Sequence, residues 1–451
     1  MTTPPLAAII LAAGKGTRMK SDRHKVLHPI AGRAMIDHLL ESVAALSPVR
    51  TVMVVGALRE QLETALGGRG IDFAVQAEQL GTAHAVLQAE TALAGFDGDV
   101  LLLSGDVPFV RPETMRALLA ALEAEDRPAV AVMGFRPADP ASYGRIIADA
   151  EGRVAKIVEF KDATPAERAV TLCNANLFAV RSADLWPLLK RVGNDNVQGE
   201  YYLPDLVMLA VQHGRTVHVI EGAAAEATGP NSRAEIALAE AMWQEERRTR
   251  AMEEGATLVA PATVWFAHDT AIGRDVLIEQ HVVFGPGVRV ADGATIRAFS
   301  HLEGATVGRG AEVGPYARLR PGAVLSAKAK VGNFVEVKNA TLGEGAKASH
   351  LTYLGDADIG AGANIGAGTI TCNYDGFFKY RTTIGAGAFI GSNSALVAPV
   401  TIGAGAIVGA GAVITQDVEP DALALVRPAQ QAKPGWARRF RDAMLAKKAG
   451  R

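Results

Sequence analysis

The chain has 451 residues, 46 basic and 48 acidic side chains, a formal charge of −2 and 49% hydrophobic residues. That length outgrows one ordinary core, so two or three domains are expected, and the near-neutral balance excludes the electrostatic footprint of a nucleic-acid or anionic-membrane binder. Only two cysteines occur, Cys173 and Cys372, too few and too far apart for a metal or disulfide framework. There is also no basic leader and no apolar run near the roughly 20 residues that span a bilayer, so a soluble protein of the reducing cytoplasm is expected.

Ala8 to Leu11 is a continuous apolar run, as in a central strand of a parallel sheet, and it leads into Leu11-Ala12-Ala13-Gly14-Lys15-Gly16-Thr17-Arg18-Met19. Ligands of open α/β sheets bind at the carboxyl ends of strands, and Gly14 and Gly16 let backbone N–H groups approach a phosphate. Lys15, Arg18 and Lys25 supply positive charge nearby. The loop meets neither the dinucleotide nor the P-loop spacing. Further strands are expected at 51–55, 100–103, 129–133 and 217–220, alternating with helices such as 34–46 and 114–125. This predicts a Rossmann-like, doubly wound α/β domain over residues 1–232. Residues 233–254, rich in Ala, Glu, Met and Arg without Gly or Pro, predict one long helix, so 233–255 is assigned as a linker.

The run from Leu11 to Met19, followed by Lys25-Val26-Leu27, resembles the signature of sugar-phosphate nucleotidyltransferases. The resemblance implies that Leu11, Ala12, Ala13, Gly14 and Lys25 hold UTP, with Lys25 and Arg18 as the catalytic cations. Joining a sugar 1-phosphate to a nucleoside triphosphate brings two anions together, so charge must be neutralised, in large part by Mg²⁺ on hard oxygen ligands. Asp106, in Ser104-Gly105-Asp106-Val107-Pro108, follows a strand and falls at the sheet's carboxyl edge. The resemblance pairs it with Asn231, in Gly229-Pro230-Asn231-Ser232-Arg233, as the metal ligands. In Gln76-Ala77-Glu78-Gln79-Leu80-Gly81-Thr82-Ala83-His84-Ala85, the residues Gln76, Gln79, Gly81 and Thr82 match the family's pyrimidine-recognition segment. An amide offers donor and acceptor together, which suits the edge of uracil. His84 is assigned a structural role. On the sugar side the family match is Gly144, Glu159 and Asn174, while Gln198 to Asp205 is given a shaping role. Two departures stand out: Asn174-Ala175-Asn176 where the family has Asn-Thr-Gly, and Ser104 where it has an aromatic residue.

From about residue 256 a six-residue period takes over. Its aliphatic or aromatic members are Ile272, Ile278, Phe284, Val290, Ile296, Leu302; then Val307, Val313, Leu319, Leu325, Val331, Val337; and later Ile384, Ile390, Leu396, Ile402, Val408, Ile414. Such a repeat predicts a β-solenoid, whose coils bury the apolar column only when stacked. It resembles the left-handed parallel β-helix of hexapeptide-repeat acyltransferases over 256–429, which implies a homotrimer. Residues 371–383 break the period and are expected to project as a loop, and 349–356 form a second irregular stretch. The tail 430–451 ends in a basic run and is expected to cap the prism, to wrap a neighbour or to be solvated.

Acetyl transfer from coenzyme A to a sugar amine needs a base, and His350 in His-Leu-Thr-Tyr-Leu-Gly-Asp is the candidate. Together these runs resemble, over nearly the whole chain, the family of bifunctional bacterial enzymes that acetylate glucosamine 1-phosphate and then uridylylate the product for cell-wall and lipopolysaccharide synthesis. That resemblance implies that Arg320, Lys338, Tyr353, Asn364 and Lys379 hold the amino-sugar phosphate. It further implies that Ala367, Asn373, Tyr374, Ser392, Ala410 and Arg427 contact acetyl-CoA, at a site between neighbouring prisms. The competing reading is a monofunctional sugar-1-phosphate nucleotidyltransferase whose β-helix only assembles or regulates it.

Overall fold

The computed structural model describes residues 4–449. The chain divides into two compact units, Met1–Glu246 and Arg247–Arg451. The division falls inside a single 21-residue helix, Arg233–Glu253, where the sequence lacks any breaker.

The first unit is built on a sheet whose strands are β1 (Leu6–Ala12), β2 (Arg50–Val55), β3 (Asp72–Val75), β4 (Asp99–Ser104), β5 (Val130–Phe135), β6 (Arg145–Ala148), β7 (Val154–Val158), β8 (Cys173–Arg181) and β9 (Val217–Glu221). The spatial order of the main strands is β9-β5-β8-β4-β1-β2-β3. β1 lies parallel between β2 and β4, with Ile9 opposite both Val52 and Leu102. Successive side chains of a strand point to opposite faces, and here both faces are covered. Ile9, Val52, Val54 and Leu102 enter one core, and Ile10, Met53, Val55 and Leu103 enter the other. Two-sided burial is why these strands read as unbroken apolar runs.

The sheet is mixed rather than wholly parallel. β8 runs antiparallel to both β4 and β5, and the β6–β7 hairpin joins its start through Cys173 opposite Arg145. Apolar runs report burial but not strand direction, so this reversal is not readable from the pattern. It splits the sheet into a half whose strand ends carry the glycine loop and Asp106, and a half carrying Glu159 and Asn174.

The second unit is a left-handed parallel β-helix. Two- to seven-residue strands stack in register, mostly at steps of 17 or 18 residues, as in His301 opposite Arg318 and Arg318 opposite Glu336; the step lengthens to 25 where the coil carries the 374–381 loop, as in Asn364 opposite Phe389. Three hexads therefore make one coil. Of the periodic residues named above, all but Ile272 are at most 4% exposed, and Ile272, in the first coil, is half-buried. The period thus marks the interior of the prism. Residues 374–381 lie outside the strands and are exposed, as the break in register predicts. The second stretch, 349–356, is not irregular: Lys347–His350 and Tyr353–Ile359 are strands in register with the coil before them, because the shortened steps fall at corners and leave the pairing intact. Within the tail, Trp436–Ala449 forms a helix with no buried residue.

Candidate active sites

The first unit has a cleft of about 540 Å³ at the carboxyl ends of β1 and β4. Leu11, Ala12, Ala13, Gly14, Arg18, Lys25, Gln76, Gln79, Gly81, Thr82, Asp106 and Asn231 all line it. Ser104, one of the two departures from the family pattern, lies there as well, together with His24 and Glu200. Gly16 has φ +58°, and a Cβ on it would come within 2.8 Å of the Lys25 Cβ. Only glycine lets the loop close over the lysine.

Lys25 is the centre of the arrangement. Its ammonium is ion-paired with Asp106 and donates to Asn231 Oδ1 at 2.7 Å. Asn231 is itself fixed from the start of the long helix: Glu235 accepts from its main-chain N–H at 2.9 Å, and Ser232 Oγ accepts the Glu235 N–H at 3.2 Å as an N-cap. A carboxylate and an amide oxygen meet around one cation. Two hard oxygens suit Mg²⁺, which commonly takes one or two protein ligands and completes its shell with water and substrate phosphates.

The segment from Gln76 to Thr82, expected to meet a pyrimidine, is held by its own hydrogen bonds. Gln76 Nε2 lies 3.1 Å from the Gly81 carbonyl and 3.0 Å from His84 Nδ1. With both amide hydrogens committed, Gln76 can offer a base only its oxygen. His84 thereby has the structural role expected of it. Gln79 donates to the Ala13 carbonyl at 3.0 Å, and the Thr82 hydroxyl accepts from the Leu203 N–H at 2.9 Å. Gly81, at φ +116°, has the Tyr201 backbone where a Cβ would go, only 2.5 Å from its carbonyl oxygen. The stretch 198–205 therefore shapes this wall by direct backbone packing.

Gly144, Glu159 and Asn174 form a separate cluster outside the lining of that cleft. The Asn174 N–H donates to the Gly144 carbonyl at 2.9 Å, and the Glu159 carboxylate covers Gly144. Burial, reinforced by Asp162 and Asp205, raises the Glu159 carboxyl above the ordinary glutamate value. Asn176 sits at φ +57°, and its amide is hydrogen-bonded to that of Asn174 at 2.8 Å. Asparagine tolerates the left-handed region better than most residues, so it can stand where the family has glycine.

In the β-helix, His350 is exposed and its Nδ1 lies 2.6 Å from Asn333 Oδ1, one coil away. An amide oxygen can only accept, so Nδ1 carries the proton and Nε2 keeps its lone pair. Nearby charge is concentrated on Lys338 and Lys379. The adjacent Lys379 ammonium, by hydrogen bond and repulsion, holds Lys338 below the usual lysine range. Two neighbouring ammonium groups make a seat for a phosphate. Asp356 is buried behind them; burial alone would raise its carboxyl, but the Asn339 and Asn373 amides and both lysines pull it below the ordinary value. Arg320 pairs with Glu336 at 2.8 Å. Tyr353 lies in register with Glu336, and its hydroxyl crosses the space above Gly355, the register partner of Lys338.

The remaining expected contacts fall into a column and a loop. Ala367, Ser392 and Ala410 lie on successive coils, tied by the Asn393 N–H donating to Ala367 at 2.7 Å and the Gly411 N–H to Ser392 at 2.8 Å. Asn364 is in the strand beside Lys347. Asn373 and Tyr374 stand at the root of the projecting loop, which Asp375 pins by accepting from the Phe377 and Phe378 N–H groups at 2.8 and 2.7 Å. Arg427 lies past the last strand and is exposed. Cys372 is only partly buried.

Residues 8–164 match the MobA-like NTP transferase domain, and residues 381–416 match the bacterial transferase hexapeptide (six repeats). The protein named "Bifunctional protein GlmU" from Novosphingobium aromaticivorans is 66% identical over 446 residues, 99% of this chain and 98% of that one. Its namesake from Sphingopyxis alaskensis is 65% identical over 445 residues, again 99% and 98%. The Zymomonas mobilis GlmU is 57% identical over 442 residues, 97% of this chain and 98% of its own. The chain belongs to the GlmU family.

Membership explains why one GlmU chain carries two candidate sites on unrelated folds. It does not by itself account for the residues that the motifs left unassigned. His24, Asn333, Asn339 and Glu336 lack a local signature because their partners, Ala12, His350, Asp356 and Arg320, are brought to them by the fold. Asn333 had a signal available, since it sits 17 residues before His350, at the coil step.

Proposed function

We infer that this chain performs two successive transfers on one sugar: acetyl from acetyl-CoA to the amine of glucosamine 1-phosphate, then UMP from UTP to the phosphate of the product. The end products are UDP-N-acetylglucosamine, pyrophosphate and coenzyme A. The observation that carries this reading is the pairing, in one chain, of Lys25 gathered with Asp106 and Asn231 and of His350 oriented by Asn333.

In uridylyl transfer a phosphate oxygen of the sugar attacks the α-phosphorus of UTP in line, and the bond to pyrophosphate breaks. Gly14 and its neighbours admit the triphosphate, Gln76 offers its amide oxygen to the uracil, and Lys25 and Arg18 offset the charge of the two anions. Glu159 and Asn174 present oxygen and amide groups to the sugar. Asp106 and Asn231 would hold Mg²⁺, which neutralises phosphate charge when bound.

In acetyl transfer the sugar amine attacks the thioester carbonyl. His350 Nε2 takes the amine's proton, and the collapsing intermediate expels the thiolate, which recovers a proton as free thiol. Lys338, Lys379 and Arg320 seat the sugar phosphate, with Tyr353 and Asn364 beside it. The column Ala367, Ser392 and Ala410, with Asn373, Tyr374 and Arg427, receives coenzyme A. Assembly as a homotrimer through the β-helix, with the acetyl site between neighbouring prisms, and a cytoplasmic location complete the proposal. Among the described residues no helix is long and apolar enough to cross a membrane.

The test is to incubate the purified protein with Mg²⁺, acetyl-CoA, UTP and glucosamine 1-phosphate, following free thiol and pyrophosphate separately. Thiol release without UTP, with pyrophosphate only after acetylated sugar has formed, supports the reading. Pyrophosphate from supplied N-acetylglucosamine 1-phosphate with no thiol release reduces the β-helix to an assembly module.

A further inference from the structure

We propose that His24 is a positioning residue of the uridylyl-transfer site, a neutral imidazole that pins the turn carrying Lys25 to the base of the glycine-rich loop. The inference rests on the role given above to Lys25. His24 is 2% exposed and lines the cleft. Its Nε2 lies 3.1 Å from the Ala12 carbonyl oxygen, which can only accept, so Nε2 carries the hydrogen. Nδ1 must then be the acceptor, and it faces the Val26 N–H at 3.4 Å, capping the short helical turn Lys25–Leu27. The backbone on the other side is fixed as well: the His24 N–H donates to Gln61 Oε1 at 2.7 Å, and Gln61 Nε2 donates to the Asp22 carbonyl at 2.7 Å. Ala12 ends β1 and leads into the phosphate loop, while Lys25 begins the turn and reaches Asp106 and Asn231. One ring therefore sets the spacing between the loop and the lysine.

This arrangement works for the neutral ring alone. A second proton would put an Nδ1–H against the Val26 N–H and remove the cap. Three groups act on the ring besides its burial: the Ala12 carbonyl, Lys25 and His28. Burial holds the imidazole below the ordinary histidine value; the Ala12 carbonyl opposes this, and the charges of Lys25 and His28 reinforce it. The neutral form is therefore the one present at neutral pH, and it is lost as pH falls.

The experiment compares pyrophosphate release by the unchanged chain, His24→Ala and His24→Asn from about pH 4.5 to about pH 8.5, a span that reaches below the ordinary imidazole range because burial lowers this ring's value. The reactants are UTP, Mg²⁺ and N-acetylglucosamine 1-phosphate. Asparagine keeps a cap acceptor and does not titrate. His24→Ala is expected to lower kcat about tenfold or more by displacing Lys25, and His24→Asn to recover part of that at the alkaline end. The ratio of unchanged to His24→Asn rates cancels the ionisation of the substrates' phosphates, and it is expected to fall as pH drops. A ratio flat with pH, or a His24→Ala variant with unchanged kcat and KM, overturns the inference. Rates are normalised to the folded fraction read by circular dichroism at each pH, so partial unfolding of a variant does not enter the ratio. No pyrophosphate from the unchanged chain at any pH defeats the uridylyl assignment itself, and this inference with it.

Discussion

In the first unit, Lys25 meets partners 81 and 206 residues away. In the second, His350 meets Asn333 across 17 residues, and Asp356 meets Asn339 and Asn373 across 17 each. A sheet edge gathers residues from loops scattered along the chain, so its site exists only when the whole domain has closed. A solenoid places residues by register, so its site is specified coil by coil and shares backbone hydrogen bonds with its neighbours. The consequence is independence: each constellation should fail alone, and by a different route.

The largest effects should separate the two chemistries outright. Lys25→Ala is expected to cut pyrophosphate release by about 10²–10³-fold while sparing thiol release. His350→Ala should cut thiol release by about 10²–10⁴-fold while sparing pyrophosphate formed from supplied N-acetylglucosamine 1-phosphate. Steady-state assays of both products on both variants check this, and loss of both activities in either variant would contradict two independent sites.

The next test probes register. Asn333→Ala leaves His350 in place but removes the acceptor that holds its tautomer, so acetyl kcat should fall about tenfold or more with little change in the KM for glucosamine 1-phosphate. Unchanged kcat would mean that the hydrogen bond at 2.6 Å is incidental.

Tertiary dependence of the first site is probed by Gly81→Ala. A methyl group would meet the Tyr201 carbonyl at 2.5 Å, and the backbone is at φ +116°. A loss of about 1–3 kcal/mol is expected from the strained conformation, seen as a lower midpoint in denaturant titration. The KM for UTP should rise with it, while the acetyl reaction stays unchanged.

The smallest effect concerns Glu159. Its carboxyl is raised above 4.5 by burial and by Asp162 and Asp205. Between the unfolded and folded values the native state binds more protons than the unfolded one, so this group favours the fold at low pH and that contribution is lost as pH rises through the folded value. Glu159→Gln removes the buried charge. It should raise the thermal midpoint slightly at neutral pH and flatten its acid dependence, while weakening the sugar's KM in uridylyl transfer. A lower midpoint at neutral pH would show that the carboxylate is stabilised by contacts rather than strained by burial.

Much of both sites can be read in one dimension. The loop from Leu11 to Arg18, Asp106 after its strand, and Gln76, Gln79, Gly81 and Thr82 within one short segment are all marked by local runs, and all of them line one cleft. His350 ends the strand Lys347–His350, in register with Asn333 and exposed, so the coil step rather than a break in the period places it. The antiparallel β8, the partnership of Lys25 with Asn231, and the roles of His24 and Asn333 are not contiguous with anything that marks them. Asn176 was visible only as an oddity until its left-handed backbone accounted for it.

Local pattern by itself determined which residues are buried and in what kind of element, because a side chain's facing repeats every two residues in a strand and every six in this solenoid. It also determined where that regularity stops, and so where ligands could be met. Only the tertiary structure decided strand direction, the convergence of Lys25, Asp106 and Asn231, and the proton positions on His24 and His350. Those depend on which distant groups face each other once the chain has closed, and no local period carries that information.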